Sequence, residues 1–165
     1  MKSVALVFVA ALTASPGLTI TNPEHHPAAA SAPAEHPQAA AVRAVLLRYR
    51  AAIERLDASG TETLFAADSA VFETGGSEGT YANYLAHHLG PELAEFKSFT
   101  FSDYKVDIRF EGTIALATET YKYRIETKDG AIAERLGVTT SVLKQIDGQW
   151  RIVVSHNSGR KPKAS

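Results

Sequence analysis

The stretch Phe65–Glu92, FAADSAVFETGGSEGTYANYLAHHLGPE, decides the fold because it joins an apolar strand, a glycine turn and a helix. Val71 and Glu73 point to the same side of an extended segment, so a strand that buries Val71 also turns the Glu73 carboxylate inward. A buried carboxylate is either paired with a partner or used for function. The sequence therefore places any chemistry of this chain near Glu73.

A helix is expected after the glycine turn. Thr80 can cap its first turn, and four residues follow at helical spacing, namely Tyr81, Tyr84, Leu85 and His88. His88 therefore faces inward with the tyrosines, whereas His87 points to solvent. We expect Gly90 to end this helix and Pro91 to open a further turn.

An amphipathic helix is predicted to begin near Gln38, upstream of the opening stretch. One face carries the apolar residues Val42, Val45, Leu46, Tyr49, Ile53 and Leu56. The opposite side carries Arg43, Arg50 and Glu54, which we expect in solvent. Ser59 and Glu62 have the spacing of a capping box, which predicts a short second helix.

Four long segments with a period of two follow the helices, over residues 99–110, 113–127, 131–146 and 149–157. The dipeptides Glu111-Gly112, Asp129-Gly130 and Asp147-Gly148 separate them and predict hairpin turns. Strands of this length must twist and bend strongly, and Gly137 predicts a bulge.

The last strand should present Trp150, Ile152, Val154 and His156 on one face. If the Trp150 face meets the helices, His156 reaches the rim of the same cavity as Glu73. Outward-facing Ser141, Leu143 and Val153 would then suit contact with a second copy of the chain.

The order helix, short helix, VFE strand, helix and four-stranded meander resembles the nuclear transport factor 2-like superfamily, and within it the SnoaL-like and ketosteroid isomerase-like proteins. The segments that carry the resemblance are LLRYRAAIERLD, LFAADSAVFE and DGQWRIVVSHNS, within about residues 40–160. The resemblance implies an α+β fold in which a cone-shaped, strongly curved antiparallel sheet wraps around a long N-terminal helix with two shorter helices, a cystatin-like α+β roll. It also implies a pocket at one end of the cone, and a homodimer.

The resemblance implies roles for two residues. Glu73 stands where a ketosteroid isomerase has its catalytic Asp base, and Tyr49 stands where it has the Tyr that donates to the oxyanion. The second donor of that family is a protonated acid on the penultimate strand, where this chain has the segment 137–140 without an acid. Losing one such donor typically costs about a hundredfold in rate, so a general base in a pocket is implied more firmly than steroid isomerisation.

Three functions remain open from the residues. In a binding module, a small, partly apolar molecule would contact Tyr49, Glu73, Tyr84, His88, Trp150 and His156. In an enzyme of isomerase, cyclase or hydrolase type, Glu73 would be the general base, supported by Tyr49 or His88. Neither function requires a cofactor. A structural role for Glu73, accepting hydrogen bonds from the tyrosines, is the simpler alternative.

A metal site is the third function. Glu73, His88 and His156 are suitable ligands for Zn²⁺, Cu²⁺ or Fe²⁺. Three further histidines lie in an Ala/Pro-rich linker over residues 22–39, where solvation is the simpler expectation.

Composition bounds the rest of the interpretation. The chain has 165 residues, a formal net charge of −1 and no cysteine, which excludes a disulfide and a lipoprotein anchor. Nearly balanced charge gives no general attraction to nucleic acid. We expect one domain over residues 40–160, a tail over 161–165, and no membrane partner after removal of a signal peptide.

We predict export to the periplasm or the medium. Lys2 precedes the apolar run VALVFVAAL, so residues 1–21 read as a signal peptide, and this apolar run is too short to span a bilayer comfortably. The mature chain should begin after the first eleven to roughly twenty residues. Intact-mass measurement on protein from its native host checks this prediction, and recovery of the chain with Met1 in place would contradict it.

Overall fold

The structure is a computed structural model that describes residues 35–163. The expected signal peptide, all but the end of the expected linker, and the last two residues of the expected tail lie outside this range. The helical elements are α1 (Ala39–Glu54), a 3₁₀ turn (Thr61–Leu64), α2 (Tyr81–Tyr84), a π turn (Leu85–Leu89) and α3 (Gly90–Glu95). The strands are β1 (Phe65–Glu73), β2 (Gly76–Gly79), β3 (Phe96–Glu111), β4 (Ile114–Thr127), β5 (Ile132–Ile146) and β6 (Gln149–Arg160). Within residues 35–163, no helix combines the length and apolar character needed to cross a bilayer.

The predicted α+β fold is confirmed. Six strands form one curved sheet in the order β2-β1-β6-β5-β4-β3. The sheet is not purely antiparallel, because β1 and β6 pair in parallel. These two strands come from opposite ends of the domain, so no hairpin forces them to run in opposite directions.

Helix α1 fills part of the concave face of the sheet. Its buried apolar side chains Val42, Leu46 and Ile53 belong to one core cluster with inward residues of β4, β5 and β6. At its end, Glu54 Oε1 accepts a hydrogen bond of 3.2 Å from the backbone N–H of Phe101 on β3. The helix is therefore fixed to the sheet by apolar burial and by a polar contact.

The predicted capping box is wrong. Gly60, with φ of 79°, takes the position before the 3₁₀ turn, and no side chain caps that turn. The Ser59 backbone N–H instead donates to Asp57 Oδ1 at 3.0 Å. A left-handed glycine in this place turns the chain away from the geometry that Ser59 would need.

Gly90 does not end the second helical region, which runs without a break from Tyr81 to Glu95. Thr80 caps it as predicted, by accepting from the Asn83 N–H at 3.3 Å. The Gly90 N–H bonds to the Leu85 carbonyl, and a Cβ at Gly90 would lie only 2.6 Å from that oxygen. The glycine therefore permits a wide π turn within the helix.

Gly137 is not a bulge, since it lies in regular register opposite Tyr121. A Cβ at this position would lie 2.2 Å from the Tyr121 ring, so the glycine makes room for that ring. The bulge on this side of the sheet is at Val153, because Leu143 pairs with Ile152 while Val142 pairs with Val154.

The bulge reverses the faces of the last strand. Trp150 and Ile152 are buried on the inner side, but beyond Val153 it is Ser155 that is buried, and His156 is exposed. The predicted common face of Trp150 and His156 is therefore wrong, because one extra residue in a strand inverts the alternation after it.

The outward residues also differ from those expected. Leu143 and Ser141, expected on the convex face, are 0% and 4% exposed and point inward. The convex face instead presents Leu116 and Val138, which are 44% and 41% exposed. A convex apolar surface exists, but other residues form it.

Candidate functional site

A cavity of about 460 Å³ lies between the sheet, α1 and the helical region that follows β2. Much of its wall is aromatic, formed by Phe96, Phe99, Phe101, Tyr104, Tyr121 and Tyr123. A Cβ at Gly137 would overlap the Tyr121 ring, and a Cβ at Gly159 would overlap the Tyr123 hydroxyl. These glycines therefore make room for the two tyrosine side chains in the wall of the cavity.

Glu73 lines this cavity, as its position on β1 predicted. Its Oε1 accepts a hydrogen bond of 2.6 Å from the Tyr84 hydroxyl. Its Oε2 lies 3.4 Å from His88 Nε2. Both oxygens therefore have a partner, which holds the carboxylate in one orientation at the wall of the cavity.

His88 also lines the cavity and is surrounded by three carboxylates. Its Nδ1 lies 3.1 Å from Glu78 Oε2, and its Nε2 lies 3.2 Å from Glu92 Oε1 as well as near Glu73. The hydrogen bond with Glu78 is the main cause that raises the pKa of His88, and the negative charges of Glu73 and Glu92 add to it against the effect of burial. His88 is thus better suited to hold carboxylates as a cation than to accept a proton.

Tyr49 and Tyr84 line the cavity too. Burial raises the pKa of Tyr49, and its hydroxyl interacts with that of Tyr81. Tyr81 in turn shares a hydrogen bond of 2.7 Å with Thr61 Oγ1. The Tyr49 hydroxyl therefore joins a chain that leads out of the cavity toward the 3₁₀ turn, while the Tyr84 hydroxyl is committed to Glu73.

Two predicted ligand-binding residues lie outside the cavity. His156 is on the outer face of β6, where its ring stands edge-on to Phe72 with centroids 6.4 Å apart. Trp150 is buried in the core, edge-on to Phe110 at 5.8 Å. The prediction that both residues line the cavity is therefore wrong. For His156 the reason is the bulge at Val153.

The predicted metal site cannot form from the three expected ligands. Glu73 and His88 line the cavity, but the sheet lies between them and His156. Across residues 35–163, no group of three or more His, Cys, Asp or Glu side chains has a geometry that could hold a metal ion.

The sequence interpretation missed Glu119, an acid on β4 that lines the cavity and is only 8% exposed. Its Oε1 accepts a hydrogen bond of 2.7 Å from the Tyr104 hydroxyl. Burial raises the pKa of Glu119, although the bond from Tyr104 and the charge of Arg50 oppose this effect. Its inward position could have been predicted from the alternation along β4, where Ala115, Ala117, Glu119 and Tyr121 share the inward face.

Arg50 was the second residue missed. The sequence places it on the solvent side of α1, but its guanidinium lies 4.5 Å from the centre of the Tyr104 ring and lines the cavity. Its partner Glu54 is 3.7 Å away. The inward position of Arg50 could have been predicted from helical spacing, because Arg50 follows Leu46 by four residues and precedes Ile53 by three, and both are core residues.

A polar row crosses the inner face of the sheet between the two acids. Glu73 pairs in register with Asn157, Asn157 with Thr139, and Thr139 with Glu119. The Thr139 hydroxyl donates to Asn157 Oδ1 at 2.8 Å, so it receives its bond of 2.7 Å from the Tyr121 hydroxyl. This polar row, comprising Glu73, Asn157, Thr139 and Glu119, gives the aromatic cavity an acid at each end.

Comparisons with known proteins agree with this architecture. Residues 42–160 match the family model of the SnoaL-like domain. An NTF2-like superfamily protein from Salmonella enterica has a similar structure, with a TM-score of 0.66 and 22% identity over 74% of this chain and 91% of that one. No curated protein shows significant sequence similarity to the chain.

Two further solved structures are similar. A candidate ketosteroid isomerase from Shewanella frigidimarina is 28% identical with a TM-score of 0.63, over 72% of this chain and 94% of that one. A ketosteroid isomerase-like protein from Erwinia carotovora is 14% identical with a TM-score of 0.65, over 77% and 99%.

We predict that His88 stabilises the fold in a pH-dependent way. Its pKa in the folded protein is raised above the unfolded value of about 6.5. The contribution of protonated His88 should therefore be present just below that value and should be lost as pH rises through the folded pKa. The melting temperature of wild type should exceed that of His88→Gln most near pH 6, with a smaller difference at pH 9.

His87→Gln is the matched control, because His87 is its exposed neighbour on the same helical region. Its melting temperature should follow that of wild type across the pH range. An NMR titration of His88 with a pKa at or below about 6.5 would contradict the role assigned to the three glutamates.

Proposed function

The chain belongs to the SnoaL-like domain family, and on this basis we propose that its cavity binds a small, partly apolar organic molecule. The observation that carries this proposal is the cavity of about 460 Å³, with its aromatic wall and the polar row across its floor. Ligand sites in proteins typically have volumes of about 300–1,000 Å³, with apolar walls and a few polar groups that orient the ligand. Aromatic faces would take the ring system, and the carboxyl groups would take hydroxyl or carbonyl groups.

A second candidate function is catalysis with Glu73 as general base, in a reaction of isomerase, cyclase or hydrolase type. It is favoured by the way in which the Tyr84 hydroxyl and His88 hold the carboxylate at the cavity wall. A base that removes a proton next to a carbonyl must be positioned in advance, and neighbouring donors can stabilise the negative charge that develops. His88 is the candidate donor, because the Tyr49 hydroxyl donates to Tyr81.

The two functions differ in what Glu73→Gln should change. For naphthol, a fluorescent probe with one hydroxyl group, we expect wild type to bind and Glu73→Gln to bind about fivefold more weakly, through loss of one charge-assisted hydrogen bond.

For acetonaphthone in heavy water, a general base would exchange the methyl protons for deuterium. NMR measures that exchange, which should disappear in Glu73→Gln if Glu73 is the base.

A cavity-filling variant tests whether binding occurs in this cavity. Ser141 lines it from β5, so Ser141→Leu should weaken naphthol binding by about tenfold or more through overlap with the ligand. Thr140→Leu, one residue away on the outer face, is the matched control and should bind as wild type does. Equal binding by wild type, Glu73→Gln and Ser141→Leu would contradict the proposal.

We further propose that the chain forms a homodimer through the convex face of the sheet. A row of apolar residues crosses this face, since Leu116 pairs with Val142 and Val142 with Val154. Sedimentation velocity should give about twice the monomer mass for wild type, and Leu116→Glu should shift it to monomer because a charge cannot be buried there without a partner. A wild-type monomer at about 100 μM would contradict this proposal.

Export stays a proposal as well. It is supported by Lys2 and the apolar run after it, and it would place ligand binding in the periplasm or the medium.

A further inference from the structure

We propose that Arg50 and Glu119 form a carbonyl-binding site at one end of the cavity, which takes the ketone or carboxylate oxygen of an aromatic or alicyclic ligand. This inference rests on the proposed function, because it names the chemical class of the molecule that the cavity binds.

The first support is the half-used carboxyl group of Glu119. The side chain is 8% exposed, and Oε1 accepts from the Tyr104 hydroxyl at 2.7 Å. Oε2 makes no hydrogen bond to any residue within 35–163, and the side chain lines the cavity. Because Glu119 lines the cavity and Oε2 has no partner among these residues, Oε2 can form a hydrogen bond with a ligand.

The second support is the absence of a paired cation. Among the described residues, no Lys, Arg or His nitrogen lies within 4.0 Å of Glu119, and Arg50 makes its ion pair with Glu54 instead. A buried acid without an ion pair favours its neutral form, in agreement with its raised pKa. Since Oε1 accepts from Tyr104, the proton of the neutral form lies on Oε2, from which it can be donated into the cavity.

The third support is Arg50. Its buried Nε faces Glu54 Oε2 at 3.7 Å, and its two terminal nitrogens make no hydrogen bond to any residue within 35–163, which leaves them for a ligand. The guanidinium lies 4.5 Å from the centre of the Tyr104 ring, and the hydroxyl of the same tyrosine binds Glu119. Tyr104 therefore connects the two groups and fixes both as donors at the same end of the cavity.

Two donors and one positive charge define the complementary ligand group. An sp² oxygen can accept from Arg50 and from the Glu119 carboxyl, and a carboxylate gains further from the charge of Arg50. An ammonium group would be repelled by Arg50 and could bind Glu119 well only if that acid lost its proton. The site should therefore prefer ketones and carboxylates to amines.

The polar row also limits the length of the ligand. Glu73 and Glu119 are three strand positions apart, or about 14 Å between backbones at a strand spacing of roughly 4.8 Å. Their side chains extend into the cavity from the two ends and shorten that gap. A molecule of two or three fused rings can therefore place a carbonyl at Glu119 while its far end approaches Glu73.

The test uses three probes that share one ring system: naphthoate, acetonaphthone and naphthylmethylammonium. Wild type should bind the first two at least about tenfold more tightly than the third, as measured by titration calorimetry at pH 6. Glu119→Ala should weaken naphthoate and acetonaphthone by about tenfold or more. Glu119→Gln should stay within about threefold of wild type, because its amide N–H replaces the carboxyl donor.

Arg50→Gln distinguishes carboxylate ligands from ketone ligands. It also tests the inference if Glu119→Ala does not fold. It should weaken naphthoate more than acetonaphthone, because only naphthoate carries a charge for Arg50 to neutralise. Glu134→Gln, an exposed position on the outer side of β5, is the matched control and should bind every probe as wild type does.

The pH dependence provides a readout that a merely structural role would not change. In wild type, naphthoate affinity should fall as pH rises through the pKa of Glu119, whereas in Glu119→Gln it should be flat over the same range. The other titratable groups facing Glu119 are Arg50, Tyr104 and Tyr121, and burial raises the pKa of both tyrosines. They therefore stay protonated in this range.

Three results would overturn the inference: tighter binding of the ammonium probe that is lost in Glu119→Ala, a loss of naphthoate affinity in Glu119→Gln as large as in Glu119→Ala, or unchanged naphthoate binding in Glu119→Ala. If none of the probes binds to wild type at all, the proposed function itself fails. The two failures are therefore distinguishable.

Discussion

The packing of α1 into the concave face of the sheet is the contact on which the rest of the structure depends. Its apolar side chains cover the end of the sheet where the inward residues are Ala115, Ala117, Leu143 and Ile152. Each large apolar side chain buried there contributes roughly 1.5–3 kcal/mol. Further along the same strands the inward residues become Glu119, Thr139 and Asn157. The helix closes one end of the cone, and the change from apolar to polar residues marks the floor of the cavity.

The two acids of the cavity are held in different ways, which suits them to different tasks. Glu73 accepts from Tyr84 and lies beside His88, whose positive charge is favoured by two more carboxylates. Glu119 accepts from the neutral Tyr104 hydroxyl and has no ion pair among the described residues, and burial raises its pKa. The environment of Glu119 favours its neutral form, whereas the two partners of Glu73 fix the orientation of its carboxyl group. A ligand across the polar row would meet an acceptor at Glu73 and donors at Glu119 and Arg50.

The family and the fold limit the range of possible functions, but they do not select one of them. Similar structures include a candidate ketosteroid isomerase, and folds of this kind serve both binding and catalysis. The choice between these functions depends on the side chains that line the cavity of this chain. The residue opposite Glu119 on β5 is Thr139, so the second acid of the cavity comes from β4. The three glutamates around His88 are a further feature that depends on these particular residues.

The sequence by itself determined the hairpins at the acid-glycine pairs, the apolar face of α1, the inward direction of Glu73 and the order of all elements except β2, which lies in the expected glycine turn. Each of these follows from a local period or a local turn preference. Only the tertiary structure decided that His156 leaves the cavity and that Arg50 and Glu119 enter it. One bulged residue at Val153 inverts the alternation for the rest of β6, and alternation alone does not show where such a residue falls. Whether a polar residue beside the core faces solvent or a cavity depends on how far the sheet curves away from α1, which is set by contacts between distant segments.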